Sequence, residues 1–355
     1  MAKVIVGMSG GVDSAVTALL LKEQGYEVIG VTLRTWEAED GEESRCCEID
    51  DARAVAMKIG IDFHTYNCVE QFKNQVVEPF MEAYAKGMTP NPCTECNRCL
   101  KWERLIHVMK VFEADYVATG HYANIVKLDN GRYSVKKAAF ADKDQTYMLY
   151  RLSQEQLSHT LMPLGDISKD EVREIARKAG LSVAEKKDSQ EICFVMNGSY
   201  TDFIEDNYKG ELKGSGNFVD SEGKVLGQHK GIIHYTIGQR KGLGISSTQP
   251  LYVNKIDVEK NEVVLGSEEL LYTDRVEVCD VSFTAIEDLP EGEELKCKVK
   301  IRYRHDAKPA SITKNDKGNI TVKFEDKVKS ATPGQSAVFY DENDVLLGGG
   351  IIVAK

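Results

Sequence analysis

Two stretches of this chain carry residue types that do chemistry. In "VIVGMSGGVDSAV" an apolar run gives way to Gly7, Met8, Ser9, Gly10, Gly11, Val12, Asp13 and Ser14 before a helix-like segment. A hydroxyl- and glycine-rich turn at a helix N-terminus offers backbone N–H groups and a favourable dipole to an anion. A Walker loop would end in Gly-Lys-Ser/Thr so that its lysine reaches the β/γ-phosphates, and a dinucleotide fingerprint would read Gly-x-Gly-x-x-Gly; "SGGVDS" satisfies neither. Without a lysine aimed at the γ-phosphate, the group cradled can be the β/γ pyrophosphate as a leaving group, which frees the α-phosphate for attack. In "MTPNPCTECNRCLKWERL", Cys93, Cys96 and Cys99 recur every third residue and so reach one side of the chain, and far downstream "EKKDSQEICFV" adds Cys193. Clustered thiolates act as nucleophiles or metal ligands, and a nucleophilic one needs its pKa lowered from ~8.5 by a helix N-terminus or cationic neighbours.

The elements that hold these residues follow from hydrophobic periodicity. Val4–Met8, Glu27–Leu33, Asp62–Asn67 and Tyr116–Gly120 read as buried strands, alternating with helices over Asp13–Gln24, Asp51–Lys58, Val69–Lys86 and Leu100–Phe112. That pattern is an α/β fold with a doubly wound parallel sheet. Gly120, in "VATGHYANI", ends a strand at the carboxyl edge of the sheet, where open α/β folds bind ligands. A hairpin turns at Asp129, Asn130 and Gly131, and "SKDEVREIARKAG" reads as a helix with Ser168 and Glu171 as its capping box and Gly180 as its terminator. From about Gly210, Gly-rich punctuation predicts loops and hairpins; beyond Asp274, "VEVCDVSF", "LKCKVKIRY", "ASITK", "ITVKFED" and "SAVFYD" alternate at period two, as antiparallel sheets and barrels do. Three domains result: an α/β domain over 1–205, a small β-rich central domain over 206–270, and an antiparallel β-barrel over 271–355.

A chain of 355 residues that is 42% hydrophobic buries sizeable cores. Its net charge of -11 argues against a generally basic nucleic-acid binder, although Lys296 to Lys329 concentrates Lys and Arg as a local basic face or a protected strand edge. No signal peptide and no apolar run of the ~20 residues that span a membrane is read, so a cytoplasmic chain is expected. There, nine cysteines, an odd count, argue for metal binding or catalysis over a disulfide framework. Cys68, Cys279 and Cys297 stand in strand-like contexts and read as core; Cys46 and Cys47, in the acidic "WEAEDGEESRCCEIDD", read as incidental or as members of a relay.

"SGGVDS" directly after a strand resembles the pyrophosphatase loop of the ATP-pyrophosphatase (N-type, PP-loop) superfamily, which adenylates carbonyls and carboxylates. Taken with "MTPNP", Cys96-Asn97, "ATGHYA", "KDQTYMLYRL", "KKDSQEICF", "HYTIGQRKGLG", "IRYRH" and "PGQSAVFY", the sequence resembles the tRNA-specific 2-thiouridylase family nearly end to end. The resemblance implies an adenine-nucleotide α-hydrolase-like first domain. It also implies an enzyme that adenylates the C2 oxygen of the wobble uridine with ATP and Mg²⁺, releases pyrophosphate, and replaces that oxygen by sulfur. Cys96 would be the catalytic cysteine and Cys193 the persulfide carrier, joined by a disulfide after transfer. ATP would touch Gly7 to Ser14, Leu33 and Gly120. The anticodon arm of tRNA would meet His121, Lys143, Asp144, Gln145, Arg302, Tyr303 and Gln335; Arg, Tyr and Gln suit a base splayed out of its stack. A cysteine desulfurase or sulfur-relay protein is the implied donor. "YTIGQRKGLGI" belongs to the same resemblance and offers Arg240 and Lys241 to phosphate.

One position departs from the family pattern: familiar members carry aspartate where this chain has Cys93. Cys93, Cys96 and Cys193 could then hold a 4Fe-4S cluster whose open iron binds sulfide, with Cys99 as a spare ligand; a persulfide relay or a zinc site would use the same residue types. Two rival functions stand beside thiolation. A PP-loop ligase that adenylates a small metabolite leaves the cysteines unused, and a non-catalytic iron-sulfur RNA-binding scaffold leaves "SGGVDS" without a purpose.

Overall fold

The computed structural model describes residues 1–36, 48–187, 192–196 and 198–353, so Cys46 and Cys47 lie outside the described residues. The apolar runs of the first third form a five-stranded, fully parallel sheet in the order Asp62–Asn67, Glu27–Arg34, Lys3–Gly7, Tyr116–Thr119, Thr160–Leu161. Helices cover both faces, so the central strand is hidden at Val4, Ile5 and Val6 alike and its sequence does not alternate. Helices Val12–Glu23, Ile49–Ile59 and Lys169–Lys178 pack on one face; Trp102–Val111 and the helical run from Val69 pack on the other. The chain leaves Lys3–Gly7 towards one side of the sheet and Tyr116–Thr119 lies on the other. The crevice between their carboxyl ends is therefore a topological switch point, and the Gly7–Ser14 turn and Gly120 meet there.

The expected hairpin forms between Ala123–Lys127 and Tyr133–Lys137, and Ser168 and Glu171 make the expected capping box. The cysteine segment differs from expectation, because the helix starts at Pro92 rather than Leu100. Proline fits a first helical position, where its missing N–H has no intrahelical partner to lose, and the Asn91 side chain accepts the Cys93 N–H at 3.0 Å. Pro92–Cys96, a widened turn at Asn97–Lys101 and Trp102–Val111 then follow one another. Such wide turns recur at functional sites.

The central region is a four-stranded sheet of Gly216–Val219, Val225–His229, Tyr252–Asp257 and Glu262–Gly266. Its Gly216–Val219 strand runs parallel to Glu262–Gly266, a pairing that Gly-rich hairpin spacing does not signal. Six strands, Tyr272–Phe283, Glu294–Lys300, Lys308–Lys314, Ile320–Lys329, Ser336–Tyr340 and Leu346–Ile352, close an antiparallel barrel. The last of these, "LLGGGII", is too glycine-rich to read as a strand. A Cβ at Gly349 would stand 2.7 Å from the Ala337 carbonyl oxygen and 2.8 Å from the Tyr150 ring, so glycine here permits close packing against the first domain. Among the described residues no helix is long and apolar enough to cross a membrane.

Candidate nucleotide and thiol site

The turn after the first strand is shaped by its own hydroxyls. Ser14 Oγ donates to the Gly11 carbonyl at 3.1 Å and accepts the Ser9 N–H at 3.1 Å, while Ser9 Oγ lies 3.4 Å away. Gly10 has φ +80°, and a Cβ there would lie 2.5 Å from the Glu48 carbonyl oxygen. No side chain caps the helix that begins at Val12, which leaves its N-terminus open to an anion. Gly120 stands directly across: a Cβ on it would come within 2.8 Å of the Ser14 nitrogen and of the Asp13 carbonyl carbon. Met8 is buried and is held between Val31, which accepts its N–H at 2.8 Å, and Thr32, which donates to its carbonyl at 2.7 Å. Leu33 is buried at the end of the neighbouring strand.

Two lysines that sequence reasoning passed over converge on this turn. Lys169 Nζ lies 2.8 Å from both carboxylate oxygens of Asp13, and the Tyr122 hydroxyl donates to Asp13 Oδ1 at 2.7 Å. Lys186 Nζ donates to the Gly10 carbonyl at 3.3 Å and pairs with Glu48 and Asp51. Lys186 opens the "KKDSQEICF" stretch, which is the signal that could have found it; Lys169 has none beyond standing next to a capping serine.

On the thiol side, Cys96 is buried and Cys93 exposed on the same helical turn, while Cys99 is half-buried and 2.9 Å from the Glu95 carbonyl. Half-buried Cys193 packs against the core that contains Cys96. Phe194 fixes that segment, its ring meeting Phe72, Phe80 and Phe203 at 5.6, 5.3 and 5.2 Å. No disulfide joins any two of the seven described cysteines. Burial raises the pKa of Cys68, Cys99 and Cys279 and pushes Cys297 up to about 12, as suits inert core thiols. Among the described residues no three His, Cys, Asp or Glu side chains gather to hold a metal ion, so Cys93, Cys96 and Cys193 do not form a ready cluster site.

The residues matched to RNA contact divide by environment. His121 is partly buried, its Nδ1 2.8 Å from Thr119 Oγ1 and its ring 5.3 Å from Trp102; burial, then the nearby Lys101 charge, pushes its pKa down to about 3, leaving the imidazole neutral. Asp144 is buried and accepts from Thr146 Oγ1 at 2.8 Å, so its carboxylate shapes a turn. Gln145 accepts the Tyr122 N–H at 2.9 Å and so braces the tyrosine that holds Asp13, and Lys143 is partly exposed on the same turn. Arg302 Nη2 donates to the Ile237 carbonyl at 2.9 Å and to Thr332 Oγ1 at 2.5 Å, tying the central region to the barrel. Gln335 donates to the Thr89 carbonyl at 2.7 Å, so the end of the barrel stands over "MTPNP". Tyr303 lies 6.1 Å from the Tyr147 ring with Lys300 Nζ 5.6 Å from its centroid; burial foremost, then the charges of Asp144 and Cys93, raises its pKa. Gln335 thus ties the barrel to the segment before the cysteine helix, and Gln145 and Tyr122 tie the RNA-matched turn to Asp13 of the phosphate loop.

Family models match the chain throughout: a tRNA methyl transferase HUP domain over residues 2–197, a tRNA methyl transferase PRC-barrel domain over 201–267, and an aminomethyltransferase beta-barrel domain over 274–352. The chain is 51% identical over 360 residues to the tRNA-specific 2-thiouridylase MnmA of Lachnoclostridium phytofermentans, covering 99% of this chain and 100% of that one. To the enzyme of that name from Clostridium acetobutylicum it is 49% identical, with 99% of each chain covered. Among solved structures, the U34-tRNA thiolase NcsA from Methanococcus maripaludis with its 4Fe-4S cluster overlaps 58% of this chain and 63% of its own, at 22% identity and a TM-score of 0.37.

Proposed function

Since the chain belongs to the tRNA-specific 2-thiouridylase family, we propose that it is an ATP-dependent tRNA-uridine 2-sulfurtransferase acting on the wobble uridine, position 34, in the cytoplasm. The observation that carries this reading is that one chain pairs an open, serine-lined helix N-terminus with a buried Cys96 in the core against which Cys193 packs. Neither a metabolite ligase nor a non-catalytic scaffold uses both.

The phosphates of ATP lie against Ser9–Ser14, with Gly120 giving them room, Gly7 and Met8 supporting the loop from its strand, and Leu33 lining the nucleotide. The uridine C2 oxygen attacks the α-phosphorus and pyrophosphate leaves. Mg²⁺ accompanying the nucleotide would supply charge neutralisation at its phosphates. Adenylation turns a poor leaving group into AMP. Cys193 carries the sulfane sulfur as a persulfide loaded by a cysteine desulfurase or a relay protein. The Cys96 thiolate attacks the Cys193 sulfur and breaks the S–S bond to the terminal sulfur, so hydrosulfide is released and a Cys96–Cys193 disulfide forms. Hydrosulfide adds at C2, AMP departs and 2-thiouridine remains; a thiol reductant resets the pair. The anticodon arm meets Lys143, Tyr303 and the rim around Gln335 and Arg302, with neutral His121 as a hydrogen-bonding group. A 4Fe-4S cluster would use Cys93, Cys96 and Cys193 in place of the relay; among the described residues no three His, Cys, Asp or Glu side chains gather to hold a metal ion, so no step passes through it.

The test is wobble-uridine thiolation by full-length protein with ATP, unmodified tRNA and a persulfide-charged desulfurase. Thiolation that needs ATP, and pyrophosphate release that needs tRNA, support the proposal. Pyrophosphate release indifferent to tRNA would return the protein to the small-metabolite ligases, and activity that vanishes with iron chelation and returns with iron would replace the persulfide relay by a cluster.

A further inference from the structure

The phosphate turn lacks a lysine of its own, yet two lysines from distant segments reach it. Lys169, with 10% of its side chain exposed, sits on both Asp13 oxygens, and Lys186 reaches the Gly10 carbonyl while paired with Glu48 and Asp51. We propose that Lys169 and Lys186 contact the pyrophosphate portion of ATP, supplying the charge that a Walker loop carries within itself; this rests on the nucleotide site argued above.

The electrostatics favour that assignment. An ammonium withdrawn from water is costly unless neutralised, and Asp13, Glu48 and Asp51 neutralise these two while no nucleotide is bound. Each amine ends a flexible four-carbon stem, so a modest rotation carries it from carboxylate to phosphate without backbone movement. Lysine binds phosphate as a point charge, with no bidentate geometry to satisfy. At the moment of adenylation, negative charge accumulates on the departing pyrophosphate, and a cation fixed there lowers the barrier. Tyr122, held by Gln145, keeps Asp13 aligned between the turn and Lys169.

The experiment compares Lys169→Met, Lys169→Arg and Lys186→Met with the natural full-length chain. Calorimetry measures Mg-ATP and AMP affinity, and pyrophosphate release is followed with saturating tRNA. Each methionine variant is expected to weaken ATP binding at least 10-fold and slow pyrophosphate release about 100-fold, the usual scale for losing one such group. AMP affinity, lacking any pyrophosphate, is expected to change less than 3-fold, and Lys169→Arg to recover part of the ATP affinity. A merely structural lysine would move ATP and AMP together, and that result, or unchanged ATP affinity, overturns the proposal. If the natural chain itself binds no ATP, the nucleotide-site reading fails before the lysines are judged. Lys186→Met keeps the test decisive if Lys169→Met does not fold, since its carboxylate partners are 40% and 46% exposed.

Discussion

Replacing Arg151 by Met is expected to separate sulfur transfer from adenylation. Arg151 is 9% exposed and joins Glu95, which lies between Cys93 and Cys96, at 2.8 Å and Asp280 of the barrel at 2.5 Å. Removing one partner of a fully buried ion pair costs about 3–5 kcal/mol because the other charge is stranded. Glu95 keeps 26% exposure and a second partner in Arg98, which reduces that share to about 2 kcal/mol. Asp280 is 61% exposed, so its pair contributes at most about 1 kcal/mol. Urea unfolding of Arg151→Met, Glu95→Gln, Asp280→Asn and the double variants reads these numbers as a cycle: about 1–2 kcal/mol of coupling for Arg151 with Glu95, and about 0.5 kcal/mol with Asp280. Functionally, a loosened Glu95 lets the Cys96 turn drift, and a shift of about 1 Å in a reacting group costs as much as 100-fold. Thiolation is expected to fall at least 10-fold while tRNA-dependent pyrophosphate release holds. If both rates fall together, or if Asp280 couples more strongly than Glu95, the reasoning is wrong.

Cys96→Ser is expected to abolish thiolation and spare adenylation; a loss of ATP binding in the same variant would mean that the residue serves the nucleotide. Gly120→Ala places a methyl 2.8 Å from backbone atoms of Asp13 and Ser14, so ATP affinity should fall at least 10-fold with at most about 1–3 kcal/mol lost from stability, and normal ATP binding would sink this placement of the phosphates. His121 has its pKa pushed down to about 3, so the unfolded chain binds protons more readily below pH ~6.5. The stability it preserves is therefore present at neutral pH and lost as pH falls from about 6.5 towards 3, amounting to about 2 kcal/mol by pH 5. His121→Gln should flatten the stability profile between pH 7 and 5 by that amount; an unchanged slope would show that the imidazole titrates freely.

The sequence was most legible where one local rule decided the outcome. Uninterrupted apolar runs marked the central strands because both faces are covered, and Ser168 with Glu171 marked a helix start because both side chains reach back to backbone N–H groups. It misled at the cysteines, where the helix expected from Leu100 starts at Pro92, because proline suits a first helical position and Asn91 caps it. The barrel's closing strand was illegible because its glycines answer to Tyr150 and Ala337 rather than to strand propensity. Lys169 was equally hidden: its meaning depends on Asp13, which only the fold brings beside it.

The residues matched to RNA contact show why motif and geometry need separate readings. Arg302 in "IRYRH" is matched to the anticodon arm, yet its Nη2 donates to Ile237 and Thr332 and burial lowers its pKa. Gln335 in "PGQSAVFY" likewise donates to Thr89, beside a backbone bond of 2.9 Å from the Thr89 N–H to the Pro333 carbonyl. Gln335 fastens the barrel to the segment that leads into the cysteine helix, Arg302 fastens it to the central region, and Arg151 fastens it to the helix itself. On the function proposed above, an RNA that loads the barrel would pull on the same bonds that hold the Thr89 segment and Glu95. Coupling of that kind needs no moving domain, only a brace, and the Glu95–Arg151–Asp280 chain provides one whose buried member is Arg151 and whose exposed barrel end, at Asp280, contributes at most about 1 kcal/mol.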